Sequence, residues 1–145
     1  MAITLEYLKH EDLKAYKKML DDVLGESEPL EHYQEHYQED QPNVKVVVAK
    51  KDSEIIGTIT FALINTFTSA LDPKIEFSNF ATSLEARGTD TATLLMEFVF
   101  DYAREHDYRS IIVNCLADAV RAHRFYEKMG FEKVNRTRFV MKMNK

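Results

Sequence analysis

Two runs rich in β-branched residues lie close together, residues 44–50 (VKVVVAK) and 55–64 (IIGTITFALI). Only Lys51, Asp52, Ser53 and Glu54 separate them. Such runs favour extended chain, and a short polar stretch between them reads as a hairpin turn. An antiparallel pair is therefore the seed of the sheet, and its flanks decide what covers it. Upstream, residues 3–8 alternate apolar and polar through Ile3, Leu5 and Tyr7, as a strand does. Leu13, Tyr16, Met19, Leu20, Val23 and Leu24 then recur at helical spacing. Glu11 and Asp12 stand at the favourable N-terminal end of that helix, and Gly25 stops it. Ser27 is placed to cap a second helix, with Pro29 in its first turn, running to about Asp40.

Downstream, residues 66–73 read as a turn-rich loop and 75–82 as a strand. A long amphipathic helix follows, turning Leu94, Leu95, Phe98, Val99, Tyr102 and Ala103 inward. A short apolar strand falls within residues 109–114, and a helix spans 117–129 with Gly130 at its end. Residues 131–134 and 137–143 read as closing strands. Hairpins mixed with helical crossovers predict an α/β (α+β) chain with a mixed central sheet and helices on both faces. No linker or low-complexity tract divides the sequence, so residues 1–145 are expected to form a single domain.

With 45% hydrophobic residues and 9 Phe, a sizeable core is within reach. No run of roughly 18 apolar residues exists, so no membrane span is expected. The first nine residues lack the basic-then-apolar pattern of a secretion signal. Cys115 is the only cysteine, which rules out an intramolecular disulfide and agrees with a reducing, cytoplasmic location. The Asn135-Arg136-Thr137 triplet is then a coincidental glycosylation match. A net charge of −5 argues against a protein held to nucleic acid by phosphate contacts. The charge is uneven: residues 1–72 carry −7 and residues 73–145 carry +2, with all seven arginines in the second part. One cationic and one anionic partner would suit that split.

Two local patterns carry chemistry. Residues 84–92 (LEARGTDTA) follow a strand and open a helix. A helix N-terminus offers free N–H groups and a positive dipole end, and small residues let backbone approach a phosphate. Residues 122–131 (AHRFYEKMGF) form the second pattern. Together they resemble the two CoA-binding motifs of the GNAT superfamily of acetyl-CoA-dependent N-acetyltransferases. In the first motif Arg87 and Ala92 match, while Asp90 stands where the family places a central glycine. A carboxylate there is a good helix cap and would compete with phosphate for the same donors. In the second motif Ala122, Phe125, Tyr126, Gly130 and Phe131 match, and Ala119 replaces a frequent asparagine. The resemblance covers nearly the whole chain and implies a mostly antiparallel GNAT-like sheet.

The same resemblance implies acetyl-CoA as cosubstrate and direct transfer to a primary amine in a ternary complex. Phe80, Ala81 and Thr82 would pair with the pantetheine arm, with the backbone N–H near Ala81 polarising the thioester carbonyl. Arg87, Gly88, Thr89, Asp90, Thr91 and Ala92 would form the pyrophosphate loop. Arg121 and Arg124, with Lys128 on the same helical side, would meet further phosphates. Tyr126 would protonate the departing thiolate, a role a phenol suits. Glu76 would act as base through water. Dimerisation is common in the family, so a homodimer is admitted.

The predicted helix before Asp40 carries a tandem, His32-Tyr33-Gln34-Glu35 and His36-Tyr37-Gln38-Glu39. Four-residue spacing would place both Tyr on one face, where they and the Glu could hold a cationic small-molecule or peptide amine. His32 to His36 also spells H-x-x-E-H. A catalytic zinc needs a third ligand and a supporting shell that the sequence does not offer, so no metal is expected. Cys115 shows no charge pattern that would activate a thiol. The competing reading is a GNAT-like binding or regulatory module without catalysis, for which Asp90 and Ala119 speak.

Overall fold

The computed structural model describes residues 2–65 and 72–144. The loop expected at 66–73 lies largely outside them. The described residues hold five strands and four helices: β1 (Ile3–Tyr7), α1 (Leu13–Leu24), α2 (Leu30–His36), β2 (Val44–Lys51), β3 (Glu54–Ile64), β4 (Lys74–Thr82), α3 (Thr91–Glu105), β5 (Ser110–Ile112) and α4 (Val120–Lys128). The chain divides into two compact units, Met1–Val113 and Asn114–Lys145.

In the first unit the strands lie in sequence order. β1 to β4 pair antiparallel, and β5 joins β4 in parallel after the crossover through α3. The β2–β3 hairpin turns on Asp52 and Ser53 alone, with φ of 53° and 68°. Two consecutive left-handed residues are what a two-residue hairpin turn requires, because that turn matches the twist of the strands.

The five consecutive residues 55–59 of β3 are all buried. A strand can do that only when both faces of its sheet are covered. On one face Tyr16, Met19 and Leu20 of α1 pack against Val48 and Ile55. On the other, α3 brings the fully buried Leu95, Met96 and Val99. There Tyr102 meets Phe61 edge-on at 5.2 Å. Gly57 lies on this α3 face: a Cβ built on it would stand 3.0 Å from Thr91 Cγ2 and 3.1 Å from Leu95 Cδ1. Its missing side chain is what lets the first turn of α3 rest directly on the sheet.

Three expectations need correction. Ser27 does not cap α2; its N–H and hydroxyl both donate to Asp21 Oδ1, at 2.8 and 2.5 Å. Pro29 takes the cap position instead. The helix also stops at His36 rather than near Asp40, because Tyr37 is extended and its hydroxyl donates to the Leu8 carbonyl at 3.2 Å. In the second unit, neither closing strand forms. Residues 131–144 carry no regular structure, because strand propensity makes no ladder without a neighbouring strand.

Candidate active site

In the first unit the candidates follow one another along β4, the loop after it and the start of α3. Glu76 is half-buried and sits opposite Ala62 of β3 and Ile112 of β5. β5 is only three residues long, so its pairing with β4 reaches Glu76 and goes no further. Just beyond, the ladder with β3 is irregular: Thr60 pairs with Ser78, but Thr58 pairs with Ala81. Asn79 and Phe80 therefore stand where β3 supplies Ile59 alone. Asn79 adopts φ of 46°, the left-handed conformation that asparagine tolerates better than most residues. Such a bulge bends and re-aims its strand. It sets the direction of Ala81 and Thr82, which pair with Thr58 and Gly57. Phe80 is half-buried, its ring 5.8 Å from that of Phe77.

The chain then makes one tight turn, Leu84–Ala86, which buries Ala86 and leaves Arg87 exposed. Gly88 has φ of 78°, with open space where a Cβ would be. Thr89 ties the loop to the helix: its hydroxyl contacts the Ala86 carbonyl, lies 2.7 Å from the Thr91 hydroxyl and accepts from the Thr91 N–H at 3.3 Å. Asp90 occupies the cap position of α3 but makes no side-chain capping bond. The cause is its backbone. Capping side chains belong to extended residues, whereas Asp90 has φ of −95° and ψ of 21°. Its exposed carboxylate thus does not take up the first-turn donors, contrary to the expectation from sequence. Thr91 opens the helix, followed by Ala92 and Thr93, with no side-chain bond from Asp90.

Two open concavities of this unit lie at the other end of α3. One, of about 700 Å³, is lined by Pro73, Arg104, His106, Tyr108 and Arg109 among others. Neither includes a candidate residue.

In the second unit α4 presents Arg121, Arg124 and Lys128 as an exposed basic stripe. Its C-terminus explains the Gly-Phe ending of the motif. Gly130 has φ of 101°, its N–H donates to the Glu127 carbonyl at 3.1 Å, and the Phe131 N–H reaches back to the Tyr126 carbonyl at 2.9 Å. That is a Schellman cap, for which glycine is the natural residue. The apolar contact that goes with it is the Phe131 ring against the Tyr126 ring, centroids 5.6 Å apart. Phe125 adds a second edge contact at 5.7 Å. Tyr126 is half-buried. Burial pushes its hydroxyl above the ordinary phenol range, and the nearby Cys115 thiol adds to the rise. A group so placed keeps its proton across the neutral range.

The tandem before Asp40 does not form the expected cage. Tyr33 packs against the α1 core with its ring 6.0 Å from Tyr16, and Tyr37 lies outside the helix against His10. Glu31, Glu35 and Glu39 remain exposed. Among the described residues no group of three or more His, Cys, Asp or Glu is arranged to hold a metal ion. No described helix is long and apolar enough to cross a membrane. Sequence reasoning missed Gly57 and Asn79, which place the loop and the β4 bulge. An isolated glycine within a strand pattern was the available signal for the first.

A family model described as the acetyltransferase (GNAT) family matches residues 8–131. Solved structures share the fold. A transcriptional regulator from Bacillus halodurans aligns with a TM-score of 0.81 at 23% identity, covering 99% of both chains. The ribosomal-protein-alanine N-acetyltransferase of Brucella melitensis aligns at 0.78 and 17% identity, over 99% of this chain and 100% of its own. An aminoglycoside acetyltransferase from an uncultured soil metagenomic sample, in complex with sisomicin, aligns at 0.75 and 19% identity over 97% of both. No curated protein sequence matches significantly.

Proposed function

The chain belongs to the acetyltransferase (GNAT) family, and on that premise we propose that it moves an acetyl group from acetyl-CoA to a primary amine within a ternary complex. We read residues 1–145 as one catalytic domain working in the cytoplasm; the family match spans parts of both compact units. The observation that carries the reading is the start of α3. Asp90 makes no side-chain bond to its first turn, where Thr89 takes the Thr91 N–H, and Gly88 and Thr89 lead into it with little bulk. Uncapped N–H groups at a helix start suit a pyrophosphate. Arg87 would add charge from the loop, and Arg121 and Arg124 from α4. The pantetheine arm would run along Phe80, Ala81 and Thr82, whose direction the bulge sets.

The chemistry divides among few groups. A free alkylammonium has a pKa of ~10.4, so the amine has to give up a proton before it attacks. Glu76 takes that proton through water. The amine nitrogen then bonds to the thioester carbon, and the Ala81 N–H stabilises the oxyanion. As the tetrahedral species collapses, the C–S bond breaks, Tyr126 passes its proton to the sulfur, and the surplus proton on the nitrogen returns through water to the Tyr126 oxygen. A phenol that burial keeps protonated suits the last step. Phe131 and Phe125 hold the ring in place.

For the acceptor we favour a cationic amine. The −7 carried by residues 1–72 supports this, as does the exposed acidic run through Glu31, Glu35 and Glu39. That an aminoglycoside acetyltransferase shares the fold lends further support. A second reading, a binding module without catalysis, draws on Asp90, whose negative charge stands beside the helix start. An amine screen with acetyl-CoA tests the proposal. Polyamines or aminoglycosides should be acetylated, and Tyr126→Phe should lower kcat by roughly 10²-fold or more. Glu76→Gln should lower it similarly. Turnover unchanged in both variants would remove the assigned roles, and a preference for neutral amines would remove the cationic acceptor.

A further inference from the structure

The smaller concavity at the C-terminal end of α3 is a feature that the catalytic reading leaves unused. It holds about 400 Å³, toward the small end of what ligand sites occupy. Phe98, Asp101, Tyr102 and Glu105 line it from one stripe of α3, with His106 just past the helix end. Tyr7 of β1 and Lys45 of β2 complete the lining. Four of these side chains are rings. Tyr7 meets Phe98 at 87°, centroids 5.6 Å apart, so the two faces stand nearly at right angles. The His106 ring stacks on Tyr102 at 4.0 Å, and its Nδ1–H donates to the Tyr102 carbonyl at 3.0 Å, which fixes it there. Every lining residue belongs to the Met1–Val113 unit. β1 is the sheet edge opposite β5, after which the chain leaves that unit.

The lining selects a cation. Aromatic faces are electron-rich and attract an ammonium group. The chain already places one here: Lys45 Nζ lies 5.9 Å from the centroid of the Tyr7 ring. Among the described residues neither Lys45 nor Glu105 forms an ion pair, whereas Asp101 is taken by Arg104 at 3.0 Å. Glu105 acts on the same ring as Lys45. Burial first, then Tyr102 and the Glu105 carboxylate, raise the Tyr7 phenol above its ordinary range. A primary ammonium wants acceptors for three N–H groups, which rings supply poorly; a methylated one does not. Residues 1–113 hold 21 acids against 11 bases, a net −10, and such a field draws cations in. The concavity also lies apart from the candidate base. Glu76 pairs with Ala62, the neighbour of Phe61, whose ring meets α3. Alternation along the strands therefore puts Glu76 on the sheet face away from α3.

We propose that this concavity binds a small methylated ammonium, which takes the place of the Lys45 ammonium among the Tyr7, Phe98 and Tyr102 rings, with Glu105 as counter-ion. The site is separate from the catalytic one, and the inference uses none of the catalytic assignments. A quaternary nitrogen has no lone pair and cannot be acetylated, so its binding is distinct from turnover. Tetramethylammonium chloride titrated into the isotope-labelled full chain, against sodium chloride at equal ionic strength, should shift the amide signals of Tyr7 and residues 98–106. The dissociation constant should fall in roughly the millimolar range. Choline should bind as well, and its neutral isostere with carbon in place of nitrogen roughly 5-fold more weakly or worse. Tyr7→Leu should weaken tetramethylammonium binding roughly 5-fold, and Glu105→Gln about 2- to 5-fold. Tyr7 is 44% exposed, so its replacement spares the core, and thermal unfolding checks that it does. Lys45→Gln should tighten binding about 2- to 5-fold, an effect that structural damage would not produce. No shifts at about 50 mM would overturn the proposal. So would equal binding of the neutral isostere, weaker binding by Lys45→Gln, or shifts centred on Glu76 and α2 instead of α3.

Discussion

Replacing Gly57 by alanine should destabilise the protein, and the size of the effect follows from the contacts. The new Cβ would lie 3.0 Å from Thr91 Cγ2, 3.1 Å from Leu95 Cδ1 and 3.4 Å from the Ala81 carbonyl oxygen. None of these can retreat easily. Thr91 and Leu95 are fully buried, and Thr91 is β-branched with its hydroxyl engaged by Thr89. Overpacking of this kind costs about 1–3 kcal/mol. Gly57 has an ordinary backbone conformation, so alanine recovers about 0.4–1 kcal/mol by restricting the unfolded chain. The net loss should be about 1–2 kcal/mol, a fall in Tm of roughly 3–8 °C for a chain of this size. Urea unfolding followed by circular dichroism measures it. Thr91→Ser removes the clashing methyl, so the double variant should be more stable than the sum of the single effects, a coupling of about 0.5 kcal/mol or more. A Gly57→Ala protein as stable as the parent, or strict additivity with Thr91→Ser, would refute the claim that glycine seats α3 on the sheet.

Other outcomes follow from the same geometry. Asp90→Ala should tighten acetyl-CoA binding roughly 2- to 5-fold by removing a negative charge beside the helix start, as titration calorimetry would show; unchanged or weaker binding would contradict that. Asp21 accepts from Lys17 and twice from Ser27, and these bonds, Lys17 first, hold its carboxyl down at about 2. A lowered carboxyl stabilises the fold above its unfolded value of ~3.9, and that contribution is lost as pH falls toward about 2. Asp21→Asn should therefore be less stable than the parent at pH 6, with the gap closing between pH ~4 and ~2; a gap that does not change with pH would show that the carboxylate contributes nothing.

How far the sequence could be read depended on whether the deciding partner was local. The β2–β3 hairpin was legible because two β-branched runs flank a short polar turn, and the structure places it at Val44–Lys51 and Glu54–Ile64. The Gly130 stop was legible because a left-handed residue ends α4. Even the Phe131 contact with Tyr126 lies within one turn of chain. The misses rested on features outside the pattern of the element being read. α2 ends early because Tyr37 bonds to Leu8, 29 residues away. Ser27 was drawn off its cap by Asp21. Nothing in the pattern of β4 announced that Asn79 would take the left-handed turn of a bulge. Residues 137–143 have strand composition, but the composition does not name a strand beside them. The candidate site divides in the same way: its loop and motif residues could be read from their order, whereas the conformation of Asp90 could not.

The central claim is that the start of α3 accepts the pyrophosphate of acetyl-CoA, with Asp90 standing aside from the helix donors. Thermal unfolding with and without acetyl-CoA tests it most directly. At ~100 times its dissociation constant the ligand should add about 2.7 kcal/mol, a rise in Tm of roughly 5–15 °C. No shift at millimolar acetyl-CoA would contradict the claim and leave the fold without its catalytic roles.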